Sequence, residues 1–253
     1  MAISSWPTYN SKWGDRIDFK QVVLDETNGT KLDIYNSATD VDLPGIVILP
    51  GGSYKPFKQR DSERVALTFL TQSYQAFVLE YPINEKKNYQ VAKQSITTAF
   101  DYIIKHANDL KVNPQNIGII GFSAGGQLAA AYSCEANNHA RFAILGYPVI
   151  NQALDEKIGI QSEDVSKLVT TDTAPTFIFG AREDGLAPYV DHIQPYTTAL
   201  FENEVPFELH VFGSGGHGFS LGNQYTAIVN RDRADKHFAK WFPLCLEWLK
   251  QFK

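Results

Sequence analysis

Apolar residues recur along this chain with two different periods, and the period switches from segment to segment. Short runs rich in β-branched and aromatic residues predict strands at Phe19 to Leu24, Lys31 to Tyr35, Gly45 to Leu49, Ala76 to Tyr81, Phe142 to Leu145, Thr176 to Phe179 and Phe207 to Phe212. The first two are joined through Asn28-Gly29, a strong hairpin signal. Gly45 to Leu49 is apolar throughout, as in a strand buried on both faces, and ends at Pro50-Gly51-Gly52. From Tyr89 to about Asn108 the spacing turns helical, through Ala92, Ile96, Ala99, Phe100, Ile103 and Ile104. Asp61 or Ser62 is placed to cap another helix, running through about Gln72 and burying Val65, Phe69 and Leu70. Tyr189 to Glu202 and Leu244 to Lys250 also read as helices, and Asn113-Pro114 ends the connection into one more strand. This alternation predicts a three-layer α/β fold with a mostly parallel central sheet, helices on both faces and an N-terminal β-hairpin. Reactive groups in such sheets gather at the carboxyl ends of the strands.

Composition narrows the class. The 253 residues contain no low-complexity tract, repeat or Gly/Ser-rich linker, and 43% apolar with 20% charged residues suits one globular domain over residues 1–253. A net charge of −5 with scattered lysine and arginine argues against nucleic acid as a partner. No apolar run reaches the length of a membrane span, and Met1 to Trp13 lacks the basic and apolar regions of a leader, which points to a cytoplasmic protein. The two cysteines, Cys134 and Cys245, stand in apolar contexts and read as small buried hydrophobes. No metal or cofactor pattern is present: there is no His-Glu-x-x-His, no spaced Cys/His cluster, no dinucleotide fingerprint and no phosphate loop.

Chemistry concentrates in Gly121-Phe122-Ser123-Ala124-Gly125. An isoleucine-rich run enters this Gly-x-Ser-x-Gly pentapeptide and a run of small residues leaves it, the strand–turn–helix context in which the pattern marks a nucleophilic serine. A serine hydroxyl needs a base, and among six histidines His217 stands out. It lies in Gly213-Ser214-Gly215-Gly216-His217-Gly218-Phe219, directly after a strand, whereas His106, His139, His192, His210 and His237 fit helix-end, loop, strand or surface positions. The base needs an acid to orient it, and the turn after Thr176 to Phe179 offers Glu183 and Asp184. Asp184 is preferred because Gly185 suits a turn that returns its carboxylate to the sheet. The order Ser123, Asp184, His217 is that of α/β-hydrolases. For the oxyanion, the backbone N–H of Ala124 is one candidate donor, and Gly52 and Ser53, in a glycine-rich loop resembling that of esterases, are the others.

With these residues assembled, the sequence resembles the α/β-hydrolase superfamily, and within it the small bacterial carbohydrate-esterase-like hydrolases, which include acetylxylan-esterase-like and feruloyl-esterase-like enzymes. Pro50 to Tyr54 followed by Arg60 to Phe69, Phe77 to Tyr81, the Ser123 turn, Asp184 with Pro188, and Val205 to Phe212 leading to His217-Gly218 carry the likeness, which extends from about Leu32 to the C-terminus. Ser53 stands where many relatives have a third glycine, and Ala187 where they often have valine. The resemblance implies a serine carboxylesterase without cofactor, acting on short acyl esters of sugars or other small alcohols.

Specificity is expected in a cap or rim segment at about 149–174, with one helix at Glu163 to Leu168, and in the flanking side chains Tyr54, Phe122, Tyr147, Pro148 and Phe219. The absence of a large lid argues against an interfacial lipase. Two other readings share the fold: a peptidase of the prolyl-oligopeptidase type, weakened because the hairpin precedes the sheet directly, and a catalytically idle binding module, weakened because all three triad residues are present. The aromatic stretch Trp241 to Leu249 reads as core or as a contact in a homo-oligomer.

Overall fold

Eight strands form one sheet in the order β1-β2-β4-β3-β5-β6-β7-β8 in the computed structural model, which describes residues 13–227 and 233–252. Most of the N-terminal stretch read for a leader, residues 1–12, lies outside the described residues. Strands β1 (Trp13–Asp25) and β2 (Thr30–Thr39) make the expected hairpin. Its turn is closed by the Asp25 carboxylate, which accepts from the Thr27 amide at 2.8 Å, and by Gly29 at φ 81°. Then follow β3 (Leu43–Leu49), α1 (Glu63–Leu70), β4 (Gln75–Glu80), α2 (Tyr89–Lys105), the single turn α3 (Ala107–Leu110), β5 (Val112–Phe122) and α4 (Ala124–Ser133). The second half contains β6 (Ala143–Gly146), the single turn α5 (Asp155–Ile158), β7 (Thr176–Ala181), α6 (Ile193–Glu202), β8 (Phe207–Phe212) and α7 (Trp241–Trp248). Strand β2 is antiparallel to both neighbours, and β4, β3, β5, β6, β7 and β8 run parallel.

Alternation along the central strands divides the core in two. Val47, Leu49, Ile117 and Ile119 join the cluster under α2, α4 and α6, while Ile46, Ile48, Ile120 and Phe122 join the cluster under α1 and α7. Both faces of β3 and β5 are therefore covered, which is why these strands read as unbroken apolar runs. The crossovers deliver the ends of β3, β5, β7 and β8 to the same edge of the sheet.

Several local expectations are corrected. Neither Asp61 nor Ser62 caps α1 with its side chain: the Ser62 hydroxyl donates to the Lys58 carbonyl at 3.0 Å, and Asp61 turns inward. Helix α6 begins at Ile193, after a turn in which the amides of Asp191 and His192 both donate to the Pro188 carbonyl. Helix α7 begins at Trp241, with Pro243 in its first turn where no amide partner is needed. Strand β5 starts at Val112 and includes the Asn113-Pro114 pair. The rim has its single helical turn at Asp155–Ile158, and Val165–Lys167 is only a 3₁₀ turn. No helix among the described residues is long and apolar enough to cross a membrane.

Candidate active site

Strand β5 ends in a turn tight enough to dictate its glycines. A Cβ on Gly121 would stand 2.2 Å from the Gly125 carbonyl oxygen, and one on Gly125 would stand 2.2 Å from the Leu49 carbonyl oxygen. Both obstacles are backbone, so only glycine lets strand and helix approach this closely. Ser123 takes the strain at φ 54°, ψ −119°, and its amide is anchored to the Gly146 carbonyl at 3.0 Å. The turn leaves the hydroxyl facing the loop after β8.

The structure brings Ser123, His217 and Asp184 into one chain of contacts. Ser123 Oγ lies 2.6 Å from His217 Nε2, and His217 Nδ1 lies 2.8 Å from Asp184 Oδ2. The other carboxylate oxygen accepts from the amides of Leu186 and Ala187, each at 2.9 Å. Burial alone would raise the Asp184 carboxyl, but its bond to His217 and these two amides hold it below the ordinary value of 3.8. An ionised carboxylate can only accept, so His217 Nδ1 must carry the proton and Nε2 is left to accept from the serine hydroxyl. The two amides also replace the explanation expected from Gly185: a Cβ there would meet nothing within 4 Å and its φ is ordinary, so the turn does not require glycine.

The glycine loop after β3 packs directly on the Ser123 turn. A Cβ on Gly51 would stand 2.9 Å from the Phe122 carbonyl oxygen and 3.2 Å from Ser123 Cβ. Gly52, Ser53 and Tyr54 all have positive φ, at 138°, 52° and 58°. Such a run favours glycine, so Ser53 and Tyr54 are held in a conformation that side chains seldom adopt. The amides of Gly52, Ser53 and Ala124 donate to no acceptor among the described residues. Ala124 opens α4, so the helix's partial positive end adds to the field at the serine oxygen.

Two neighbouring cavities open here. One, of about 410 Å³, contains Ser123 and His217 and is bounded by Gly52, Ser53, Tyr147 and Leu186. The other, of about 570 Å³, shares Ser53, Lys55 and Leu186 with it and extends under the rim to Tyr54, Leu154 and Ile158. Of the side chains expected to line a pocket, Tyr147 borders the first cavity and Tyr54 the second. Phe122, Pro148 and Phe219 line neither. Phe122 is the last residue of β5 and alternation turns its ring into the core, between Tyr147, Phe179 and Trp241. Pro148 lies against Gly126 of α4, and Phe219 packs on Phe238.

Sequence reasoning missed a group on the other wall. Asp61, 1% exposed, accepts from Arg60 Nε at 3.1 Å and from the Tyr147 hydroxyl at 3.4 Å. Burial raises its carboxyl, and Arg60 only partly offsets that. Tyr147 stands edge-on to the His217 ring at 5.1 Å, and Arg233 donates to the His217 carbonyl at 2.7 Å. The signal available was an Arg-Asp pair shortly after the glycine loop. His192 is also corrected: it is buried, not on the surface, its Nδ1 accepts from the Ile150 amide, and burial lowers its pKa. Among the described residues no group of three or more His, Cys, Asp or Glu could hold a metal ion.

Comparison with known proteins gives the family and the fold. A model of the BD-FAE family matches residues 32–167. Endo-1,4-beta-xylanase B of Butyrivibrio fibrisolvens is 28% identical over 214 residues, covering 73% of this chain and 34% of that protein. An acetylxylan esterase of Xylanibacter ruminicola is 28% identical over 203 residues, covering 71% of this chain and 42% of its own length. The chain thus spans less than half of these curated relatives. The solved structure of MGS-M1, an alpha/beta hydrolase from a Medee basin deep-sea metagenome library, superposes with a TM-score of 0.84 at 30% identity, covering 93% of this chain and 97% of that one.

Proposed function

The chain belongs to the BD-FAE family of α/β-hydrolases, and from that premise we propose that it is a serine carboxylesterase hydrolysing short, acetyl-like esters of sugars or other small alcohols. The observation that carries this reading is the relay from Ser123 Oγ through His217 to Asp184, at 2.6 and 2.8 Å. In the first half-reaction Ser123 Oγ attacks the ester carbonyl carbon while His217 Nε2 takes the hydroxyl proton. Asp184 stays ionised and stabilises the imidazolium. The amides of Ala124 and of Gly52 or Ser53 receive the oxyanion, and His217 returns the proton to the departing alcohol oxygen. Water then repeats the sequence on the acyl-Ser123 intermediate and releases the acid.

A short acyl group suits the walls of the catalytic cavity. Apart from glycines, Tyr147 and Leu186 are its apolar lining, among Lys55, Arg60 and Arg233. Each methylene buried in an apolar slot contributes about 0.8 kcal/mol, and beyond Tyr147 and Leu186 further apolar surface lies in the adjoining cavity, at Tyr54, Leu154 and Ile158. The acetylxylan esterase among the relatives supports the same substrate class.

The test is labelling with a fluorophosphonate probe, peptide mapping, and hydrolysis of p-nitrophenyl acetate, butyrate and octanoate. The expected result is stoichiometric modification of Ser123, acetate turned over fastest, and loss of both activities in Ser123→Ala. Full turnover by Ser123→Ala would sink the proposal.

A further inference from the structure

The chain is acidic overall, yet cations gather at this site. Lys55, Arg60 and Arg233 border the catalytic cavity, with Asp61 as their acidic counterpart in its wall. Lys87 and Lys157 border the adjoining cavity, with Glu85. The two arginines are concentrated further. A Cβ placed on Gly218, the residue after the catalytic histidine, would stand 2.6 Å from an Arg233 Nη1 and 2.9 Å from an Arg60 Nη2. Two guanidinium groups thus lie beside His217, Arg233 holding the loop through the His217 and Gly218 carbonyls and Arg60 reaching the same place with its Nη2.

Arg60 is held there on purpose-built supports. Its Nε donates to Asp61, which is buried and also takes the Tyr147 hydroxyl, while its carbonyl accepts the Ser220 hydroxyl at 2.6 Å. The terminal nitrogens of Arg60 have no acceptor among the described residues. A guanidinium fixed through Nε, with its terminal N–H groups facing a cavity, presents the fork that matches a carboxylate or phosphate. Its position also says which half of the ester it meets. His217 Nε2 must hand its proton to the leaving oxygen, so the alcohol departs along the histidine's side, where Gly218 and both arginines lie.

Resting on the esterase reading, we propose that the natural esters carry an anionic group, carboxylate or phosphate, on the alcohol portion, seated on Arg60, with the charge of Arg233 beside it. Acidic sugars such as uronates and sugar phosphates have that chemistry. The site then selects acylated acidic alcohols over neutral ones, and Lys55 at the rim assists their approach.

Matched esters test this: 3-acetoxybenzoate against its neutral methyl ester, for the parent, Arg60→Gln and Arg60→Lys. The parent is expected to favour the anionic ester in kcat/KM by about tenfold or more, the scale of one charge-assisted hydrogen-bonded pair. Arg60→Gln should bring the ratio down to within about twofold of unity, with Arg60→Lys between. Comparing ratios between variants cancels the intrinsic reactivity of the two leaving groups. Rising ionic strength should erode turnover of the anionic ester alone, a readout on the parent that holds even if a variant fails to fold. Inhibition by glucuronate, by glucose 6-phosphate and by glucose separates carboxylate from phosphate, with glucose expected to be weakest. Equal turnover of both esters, unaffected by salt, would overturn the inference and leave the esterase reading standing. Preference for a hemisuccinyl over an acetyl ester of one neutral alcohol would also overturn it, by moving the anion to the acyl side. Failure to hydrolyse any ester and to label Ser123 would remove the esterase reading, and this inference with it.

Discussion

Asp184 and Asp61 are both buried carboxyls near His217, yet their environments push them in opposite directions. Asp184 is surrounded by donors and held low, so folding favours its ionised form. That stabilisation is fully present above the unfolded value near 3.8 and is lost as pH falls through the still lower folded value. Asp184→Asn replaces an obligate acceptor with a group that can donate to Nδ1, favouring the wrong tautomer, and should lower kcat on p-nitrophenyl acetate by about 10,000-fold. Its acid-denaturation limb should be shallower than the parent's. Asp61 is raised, chiefly by burial, so the folded state holds its proton more tightly than the unfolded chain does. Its contribution to stability is therefore greatest at acid pH and declines as pH rises from the unfolded toward the folded value. Melting curves of Asp61→Asn and the parent from pH 4 upward should show their difference moving in favour of the variant. A pH-independent difference would mean that Arg60 fully compensates the buried charge.

At the level of elements, the features legible in the sequence were those whose cause is local. The turn at Ser123 needs two glycines within five residues, and the structure shows why, through the 2.2 Å approaches at Gly121 and Gly125. Gly125→Ala forces a Cβ into the Leu49 carbonyl and should destabilise by about 3 kcal/mol or more, at or above the upper end of overpacking costs, because backbone cannot give way. Gly185→Ala faces open space and should fall within about 0.5 kcal/mol of the parent. Paired urea titrations decide between these two glycines, which look alike in the sequence. The strands were legible for the same local reason, as runs of apolar residues whose alternation sorts them between two core faces. Phe122 was misplaced because alternation at a strand's last residue depends on where the turn begins. The rim turn at Asp155–Ile158 was missed because four residues carry no period. The Arg60–Asp61–Tyr147 group was invisible for a different reason: Tyr147 lies 86 positions from Asp61 and only the fold makes them neighbours.

Over the whole molecule, the position of His217, the base of the proposed reaction, depends on a residue far from it in sequence. His217 lies in a glycine-rich loop that packs on Phe238 and Tyr147, and the loop is also held three residues later at Ser220, which is buried at φ 53°. The Ser220 amide donates to the Tyr147 hydroxyl at 3.0 Å, its hydroxyl donates to the Arg60 carbonyl, and its carbonyl accepts from Trp241 Nε1 at 2.9 Å. Trp241 opens α7, is fully buried and stacks on Phe179 of β7 at 4.0 Å. One indole thus links the last helix, the sheet and the histidine loop. Trp241→Phe keeps an aromatic ring on Phe179 but orphans the buried Ser220 carbonyl, a loss of about 1–3 kcal/mol. Because the loop places the base and not the substrate, kcat on p-nitrophenyl acetate should fall while KM changes little. Trp248→Phe at the other end of α7 serves as the comparison, since that ring packs on Phe142, Phe177 and Phe252. It should lower stability and leave kcat at the parent's value. If Trp241→Phe loses stability while keeping full kcat, Ser220 does not hold the histidine in place and the loop is fixed by its own turn.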